Sequence, residues 1–177
     1  MSRPDAGWLK DHIRDITDFP RPGVVFKDLT PLLADGPSFR SCIDSLVDHV
    51  GGRPVDAVVG IEARGFIFAA PVAERLGAGF VPVRKPGKLP WQVEHEAYAL
   101  EYGTDALEVH RDALAPGAQV LLVDDVLATG GTASAAAALV ERLGARVVAL
   151  GFVIELGFLN GRSRLPGRDV LSLLAYE

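Results

Sequence analysis

Residues Gln119 to Thr132, Q-V-L-L-V-D-D-V-L-A-T-G-G-T, constrain the fold more tightly than any other stretch of this chain. A run of buried-strand residues, Val120 to Val123, ends in two adjacent carboxylates, Asp124 and Asp125. A short Thr/Gly loop follows, then an alanine-rich helix predicted over Ala133 to Leu143. A strand whose carboxyl end turns into a helix N-terminus is where open α/β sheets bind ligands. The helix start offers unpaired backbone N–H groups and the positive end of a dipole, which suits a phosphate. Gly130 and Gly131 permit close backbone approach, Thr129 and Thr132 add hydroxyl donors, and Thr132 is placed as an N-cap. The two acids can accept hydrogen bonds from sugar hydroxyls or hold magnesium through water. Neighbouring side chains on an extended chain diverge, so unequal roles are expected for Asp124 and Asp125. The stretch reads phosphate and ribose side by side. It lacks the lysine of a nucleoside-triphosphate loop, and no G-x-G-x-x-G supports a dinucleotide site.

The rest of the chain supplies the frame for that strand. Trp8, Leu9, His12, Ile13 and Ile16 keep helical spacing and predict a short amphipathic helix. Phe19 to Pro31, punctuated by proline and glycine, reads as an extended loop. A helix is predicted from Phe39 to Val50, ending near Gly51-Gly52, and a strand from Val55 to Ile61. A helix through Leu76 follows, with Pro71 an expected irregularity; Phe80 to Arg84 is a further short strand. Trp91 to Glu96 reads as loop, and a strand is indicated after Gly103, up to His110. Arg146 to Ile154 is another strand, and the chain beyond Leu156 reads mostly as loop, with Val170 to Leu174 extended. Strands alternating with helices imply βαβ units: an α/β fold with a mainly parallel twisted sheet flanked by helices. With 177 residues, 49% of them hydrophobic, one domain is expected.

Composition excludes more than it identifies. A formal charge of −5 argues against a general nucleic-acid or membrane-surface partner. No apolar run approaches the eighteen or so residues a spanning helix requires, and no signal peptide is evident. The one cysteine, Cys42, forms no internal disulfide and is expected as a small apolar residue on a helix, so a cytoplasmic protein is the expectation. The four histidines are dispersed without metal-ligand spacing and are expected on surfaces.

Cations stand at the ends of two other strands: Arg64 in E-A-R-G, and Arg84, Lys85 and Lys88 around Pro86-Gly87. Guanidinium grips phosphate with paired hydrogen bonds and lysine serves as a mobile point charge, so these four suit a second anion. Among the carboxylates, spacing does not choose between Glu62, Glu94, Glu96, Glu101 and Glu108.

Taken together, F-P-R-P-G-V-V-F-K-D, G-I-E-A-R-G-F, V-R-K-P-G-K-L-P, Y-A-L-E-Y-G-T-D, V-D-D-V-L-A-T-G-G-T and E-L (Glu155-Leu156) resemble, in order, the motifs of the type I phosphoribosyltransferases, in the branch whose acceptor is adenine. The resemblance implies transfer of phosphoribose from 5-phosphoribosyl-1-pyrophosphate (PRPP) to N9 of adenine, with Mg²⁺, in a single domain spanning residues 1–177. A small hood would come from about residues 1–35 and 155–170. By position, it implies that Ala128, Thr129, Gly130, Gly131 and Thr132 hold the 5-phosphate, while Asp124 and Asp125 take the ribose hydroxyls. Arg64, Arg84, Lys85 and Lys88 would face pyrophosphate; Val25, Phe26, Lys27 (through backbone groups) and Leu156 would frame adenine. Glu101, on a loop with Tyr102, would be the general acid/base. It also implies a cis peptide at Ala63–Arg64, magnesium bound mainly through PRPP and water, and a homodimer. The alternatives are transfer to another base, such as hypoxanthine, guanine or orotate, or a PRPP-sensing regulator without catalysis. Two aspartates before the phosphate loop, where the 6-oxopurine group has Glu then Asp, favour adenine.

Overall fold

Five parallel strands form the central sheet of the computed structural model, which describes residues 6–99 and 104–177. In chain order, a 3₁₀ helix over Ala6–His12 leads into an antiparallel pair, β1 (Arg14–Thr17) and β2 (Val25–Asp28). Helices α1 (Thr30–Ala34) and α2 (Gly36–His49) precede β3 (Ala57–Ile61), α3 (Gly65–Leu76) and β4 (Gly79–Val83). A second antiparallel pair, β5 (Val93–Ala99) and β6 (Thr104–His110), is followed by β7 (Gln119–Leu127), α4 (Gly131–Arg142), β8 (Arg146–Leu156) and β9 (Val170–Tyr176). The sheet order is β4-β3-β7-β8-β9. This is the mainly parallel, helix-flanked sheet that the alternation of elements implies.

The sheet has a core on each face. α1, α2 and α3 cover one side, where Leu46, Phe68, Val72, Leu121 and Val123 pack; α4 covers the other, where Leu122, Ala136, Leu139 and Phe152 meet. β3 is buried at every position and β7 at nearly every one, as a strand covered on both faces requires. Cys42 is buried on α2, as expected, and burial pushes its thiol up to about 12, which removes it as a nucleophile at neutral pH.

Three expectations are corrected. The N-terminal helix stops at His12, and Ile16 lies on β1 opposite Phe26: strand pairing overrides the local helical spacing. Phe19 to Pro31 is not all loop, because its prolines and Gly23 gather in the turn and at the start of α1, which leaves Val25–Asp28 free to pair. Trp91 to Glu96 is not all loop either: β5 begins at Val93. Its polar, half-exposed pattern carries little hydrophobic signal, and its pairing with β6 and packing on α4 hold it.

Candidate active site

β7 extends through both aspartates, which therefore point to different surroundings. Asp124 is buried beneath the start of α3, and its Oδ1 accepts the Asp125 N–H at 2.9 Å. A Cβ at Gly65 would stand 2.8 Å from that oxygen, so only glycine fits there with the carboxyl in place. Burial first, and the charge of Asp125 second, push the Asp124 carboxyl well above its ordinary range. Asp125, equally buried, makes a charge-assisted bond with Nε of Arg64 from the end of β3.

The turn from β7 into α4 is closed by backbone. Gly130 caps the helix with φ of 80°, and no side chain caps it; the expected N-cap, Thr132, instead lies in the first turn of a helix that begins at Gly131. Glycine at 130 provides the left-handed conformation that Thr132 cannot take cheaply. A second constraint acts there. A Cβ on Gly130 would collide with the carbonyl oxygen of Gly161, and one on Gly161 with that of Ala128. The Gly161–Arg164 turn is in turn anchored by Arg162, whose Nε and Nη2 donate to Glu155 at 2.7 and 2.8 Å. Ala128 to Thr132 is thus a tightly packed glycine turn leading into a helix start, where the first backbone N–H groups have no partner within the helix.

The four cations at the neighbouring strand ends are already paired. Glu62, which ends β3, accepts the backbone N–H of Lys85 at 2.9 Å, Nζ of Lys88 at 3.0 Å and Nε of Arg84 at 3.3 Å. Burial acts to raise the Glu62 carboxyl, but these three donors outweigh it and hold it below its usual range. Arg84 also donates from Nη1 to the carbonyl of Lys88 at 3.1 Å, bracing the turn around Gly87. Lys85 sends its ammonium to Asp105 and, at 3.2 Å, to the Tyr98 hydroxyl. The cis peptide is Glu62–Ala63, one position before the expected Ala63–Arg64.

β2 meets this edge through Phe26, whose ring centre lies 5.5 Å from the Arg64 guanidinium, within cation–π reach. Lys27 directs its ammonium away, to Asp15 at 2.7 Å and over the Tyr176 ring at 4.2 Å. Val25 is exposed beside them on β2, and Leu156 ends β8 opposite Tyr176. The expected anion-site residues therefore gather at the carboxyl ends of β3, β4 and β7, joined by the Arg64–Asp125 pair. Glu101 and Tyr102 lie outside the described residues.

Sequence reasoning missed the carboxylates that organise the cations. Glu62 was one of five acids of equal standing, and Asp105 and Glu155 lay within quoted motifs without a role of their own. The available signal for Glu62 was its place, directly at the end of a buried strand and two residues before an arginine. His49 departs from the surface expectation: its ring is nearly buried, 3.1 Å from Asp169. Glu94 and Glu96 pair with Arg111 and Arg142.

A glycine turn from β7 into α4, paired acids beside it and four cations after the adjacent strands, on a five-stranded parallel sheet, match the fold and motif order of the phosphoribosyltransferases. The phosphoribosyl transferase domain model matches residues 37–167, and the chain belongs to that family. Within it, the chain is 61% identical over 175 residues to the adenine phosphoribosyltransferase of Acidothermus cellulolyticus, covering 98% of this chain and 99% of that one. It is 58% identical over 168 residues to the adenine phosphoribosyltransferase of Roseiflexus sp., covering 95% and 98%. Among solved structures, the adenine phosphoribosyltransferase of Thermoanaerobacter pseudethanolicus superposes with a TM-score of 0.93 at 51% identity, over 97% of this chain and 99% of that one. The Saccharomyces cerevisiae enzyme, solved with adenine and an imino-altritol bisphosphate, gives 0.90 at 42% identity, over 96% and 98%.

Proposed function

We propose that this protein is an adenine phosphoribosyltransferase, transferring phosphoribose from PRPP to N9 of adenine and releasing AMP and pyrophosphate in purine salvage. The observation that supports the reading is that a glycine turn opening a helix and a group of four cations lie together at the carboxyl ends of neighbouring strands β7, β3 and β4. A backbone cradle at Ala128–Thr132 takes the 5-phosphate, and Arg64, Arg84, Lys85 and Lys88 face pyrophosphate. Between them, Asp124 and Asp125 take the ribose hydroxyls. β2, through Val25, Phe26 and Lys27, and Leu156 frame adenine as part of a hood drawn from about residues 1–35 and 155–170 of a single domain. A mismatched buried hydrogen bond to a 6-oxopurine would cost on the order of 1–3 kcal/mol, which is the basis of discrimination.

The chemistry follows from where charge develops. The C1–O bond breaks with its electron pair going to pyrophosphate, while the ribose carbon becomes positive and bonds to N9. The basic side chains stabilise the leaving charge from fixed positions. Glu101 receives the N9 proton. Asp124 and Asp125 offer hard oxygens that would help to hold Mg²⁺ through water while PRPP supplies most of its ligands, and the ion would supply neutralisation of charge on pyrophosphate. Glu101→Ala is expected to keep PRPP binding and to slow turnover by roughly a hundredfold or more; unchanged turnover removes Glu101 from the reaction.

A homodimer belongs to the same reading, with exposed Ile67 on α3 and Phe80 on β4, beside Phe66, as an apolar face for it. Sedimentation of wild type against Phe80→Glu tests it. The decisive assay mixes protein, Mg²⁺ and PRPP with each nucleobase separately. AMP from adenine is expected; a mononucleotide of hypoxanthine, guanine or orotate instead moves the protein to another acceptor, and PRPP binding without any product makes it a sensor.

A further inference from the structure

Lys85 is held differently from its neighbours. Its backbone N–H donates to Glu62 at 2.9 Å, which fixes the residue's base, while its ammonium stands at the end of a flexible four-carbon stem. In this structure the ammonium rests on Asp105 and the Tyr98 hydroxyl. That pair is open to solvent, with side chains 37% and 31% exposed, whereas the Glu62 carboxylate that collects Arg84 and Lys88 is only 12% exposed. Asp105 also has bonds that survive the loss of lysine: Oδ1 accepts the Ala106 N–H at 2.8 Å, and Oδ2 accepts the Tyr98 hydroxyl at 3.2 Å. The acid therefore stays in place when the ammonium leaves.

We propose that Asp105 is a positioning residue that holds the Lys85 ammonium when no pyrophosphate is bound and competes with pyrophosphate for it, so that reclaiming Lys85 assists product release. The proposal rests on the assignment of Lys85 to pyrophosphate. Its consequence runs opposite to that of a structural role: removing the acid tightens pyrophosphate binding instead of weakening it. Asp105→Asn keeps shape and the acceptor for Ala106 while deleting the charge. Calorimetry with pyrophosphate and Mg²⁺ should show binding roughly three- to fivefold tighter for this variant, the range of a partly exposed ion pair. Lys85→Ala should bind more weakly than wild type, and the double variant should match Lys85→Ala. If Asp105→Asn binds pyrophosphate equally or less well while Lys85→Ala weakens it, the competition is refuted and the assignment of Lys85 stands. If Lys85→Ala changes nothing, that assignment falls and the proposal with it; a wild type that does not bind pyrophosphate at all removes the functional reading itself. Asp105→Ser, which retains a small acceptor, carries the same expectation if the asparagine variant does not fold.

Discussion

The two anion sites proposed for this protein are built on opposite principles. The cradle at Ala128–Thr132 is made of main chain: a glycine with positive φ, a helix start, and a facing turn at Gly161 that leaves no room for a Cβ. The cation cluster is made of side chains, and each of its members rests on a carboxylate: Arg64 on Asp125, Arg84 and Lys88 on Glu62, Lys85 on Asp105. A backbone site is rigid and close to neutral, so it can bind its anion tightly throughout a reaction. A site of four cations would repel itself when empty, and internal acids relieve that. At the more exposed Lys85–Asp105 pair the acid also makes the anion's departure easier, since the ammonium has a partner to return to, whereas the less exposed Glu62 fixes the positions of Arg84 and Lys88. The first arrangement suits a group that is held through the reaction; the second suits a group that must leave.

Substitutions at the two sites should therefore fail in different ways. The largest effect is expected at the cradle. Gly130→Ala places a Cβ at a φ of 80° and against the Gly161 carbonyl, so urea unfolding should show a loss on the order of 3 kcal/mol. Ribose 5-phosphate should bind at least tenfold more weakly; a variant with wild-type stability and binding means that the cradle is not rigid. Next comes the joint between the sites. Asp125→Asn removes the charged acceptor proposed for a ribose hydroxyl and loosens the Arg64 contact that fixes its place, and PRPP binding measured by calorimetry with Mg²⁺ should weaken by roughly 1.5–3 kcal/mol, the value of a charged hydrogen bond.

At the cation cluster the expected change is smaller and selective. Glu62→Gln should raise KM for PRPP several-fold, corresponding to about 1 kcal/mol, and leave KM for adenine unchanged. Equal changes in both constants would mean that Glu62 supports the fold in general and not this cluster. Its pH behaviour offers a separate reading. Because the folded carboxyl lies below its ordinary 4.5, its stabilising contribution is complete above that value and is lost as pH falls through the lowered folded value. The glutamine variant should lack that acid loss.

The smallest change has the opposite sign. Asp124 has its folded value raised above the ordinary 3.8, so its effect on stability becomes increasingly unfavourable as pH rises from 3.8 towards the folded value. Asp124→Asn keeps an acceptor for the Asp125 N–H and should raise Tm at neutral pH by about 2–4 °C, at the expense of ribose binding. A lower Tm would show that the buried carboxyl is satisfied as an anion.

Legibility in the sequence tracks how local each feature is. V-D-D-V-L-A-T-G-G-T announces the strand, the paired acids and the phosphate turn because all three are contiguous, although the cap fell on Gly130 and not Thr132. The parallel sheet was readable from strand–helix alternation, and α2, β3, β4 and β8 fall where periodicity puts them. β1, β2 and β5 were not readable, because short half-exposed strands are stabilised by partners elsewhere in the chain and not by their own pattern. The cations were found as a class, from their places at strand ends, but their acids were not.

Sequence alone determined that a glycine turn joins β7 to α4 directly after two aspartates, since strand, acids, glycines and helix start occupy consecutive positions and need no distant help. Only the tertiary structure decided which carboxylates hold which cations. Glu62 reaches Lys88 across 26 positions, Lys85 reaches Asp105 across 20, and Arg64 reaches Asp125 across 61. A charge selects its partner by distance in space, and that distance is set by the packing of the sheet.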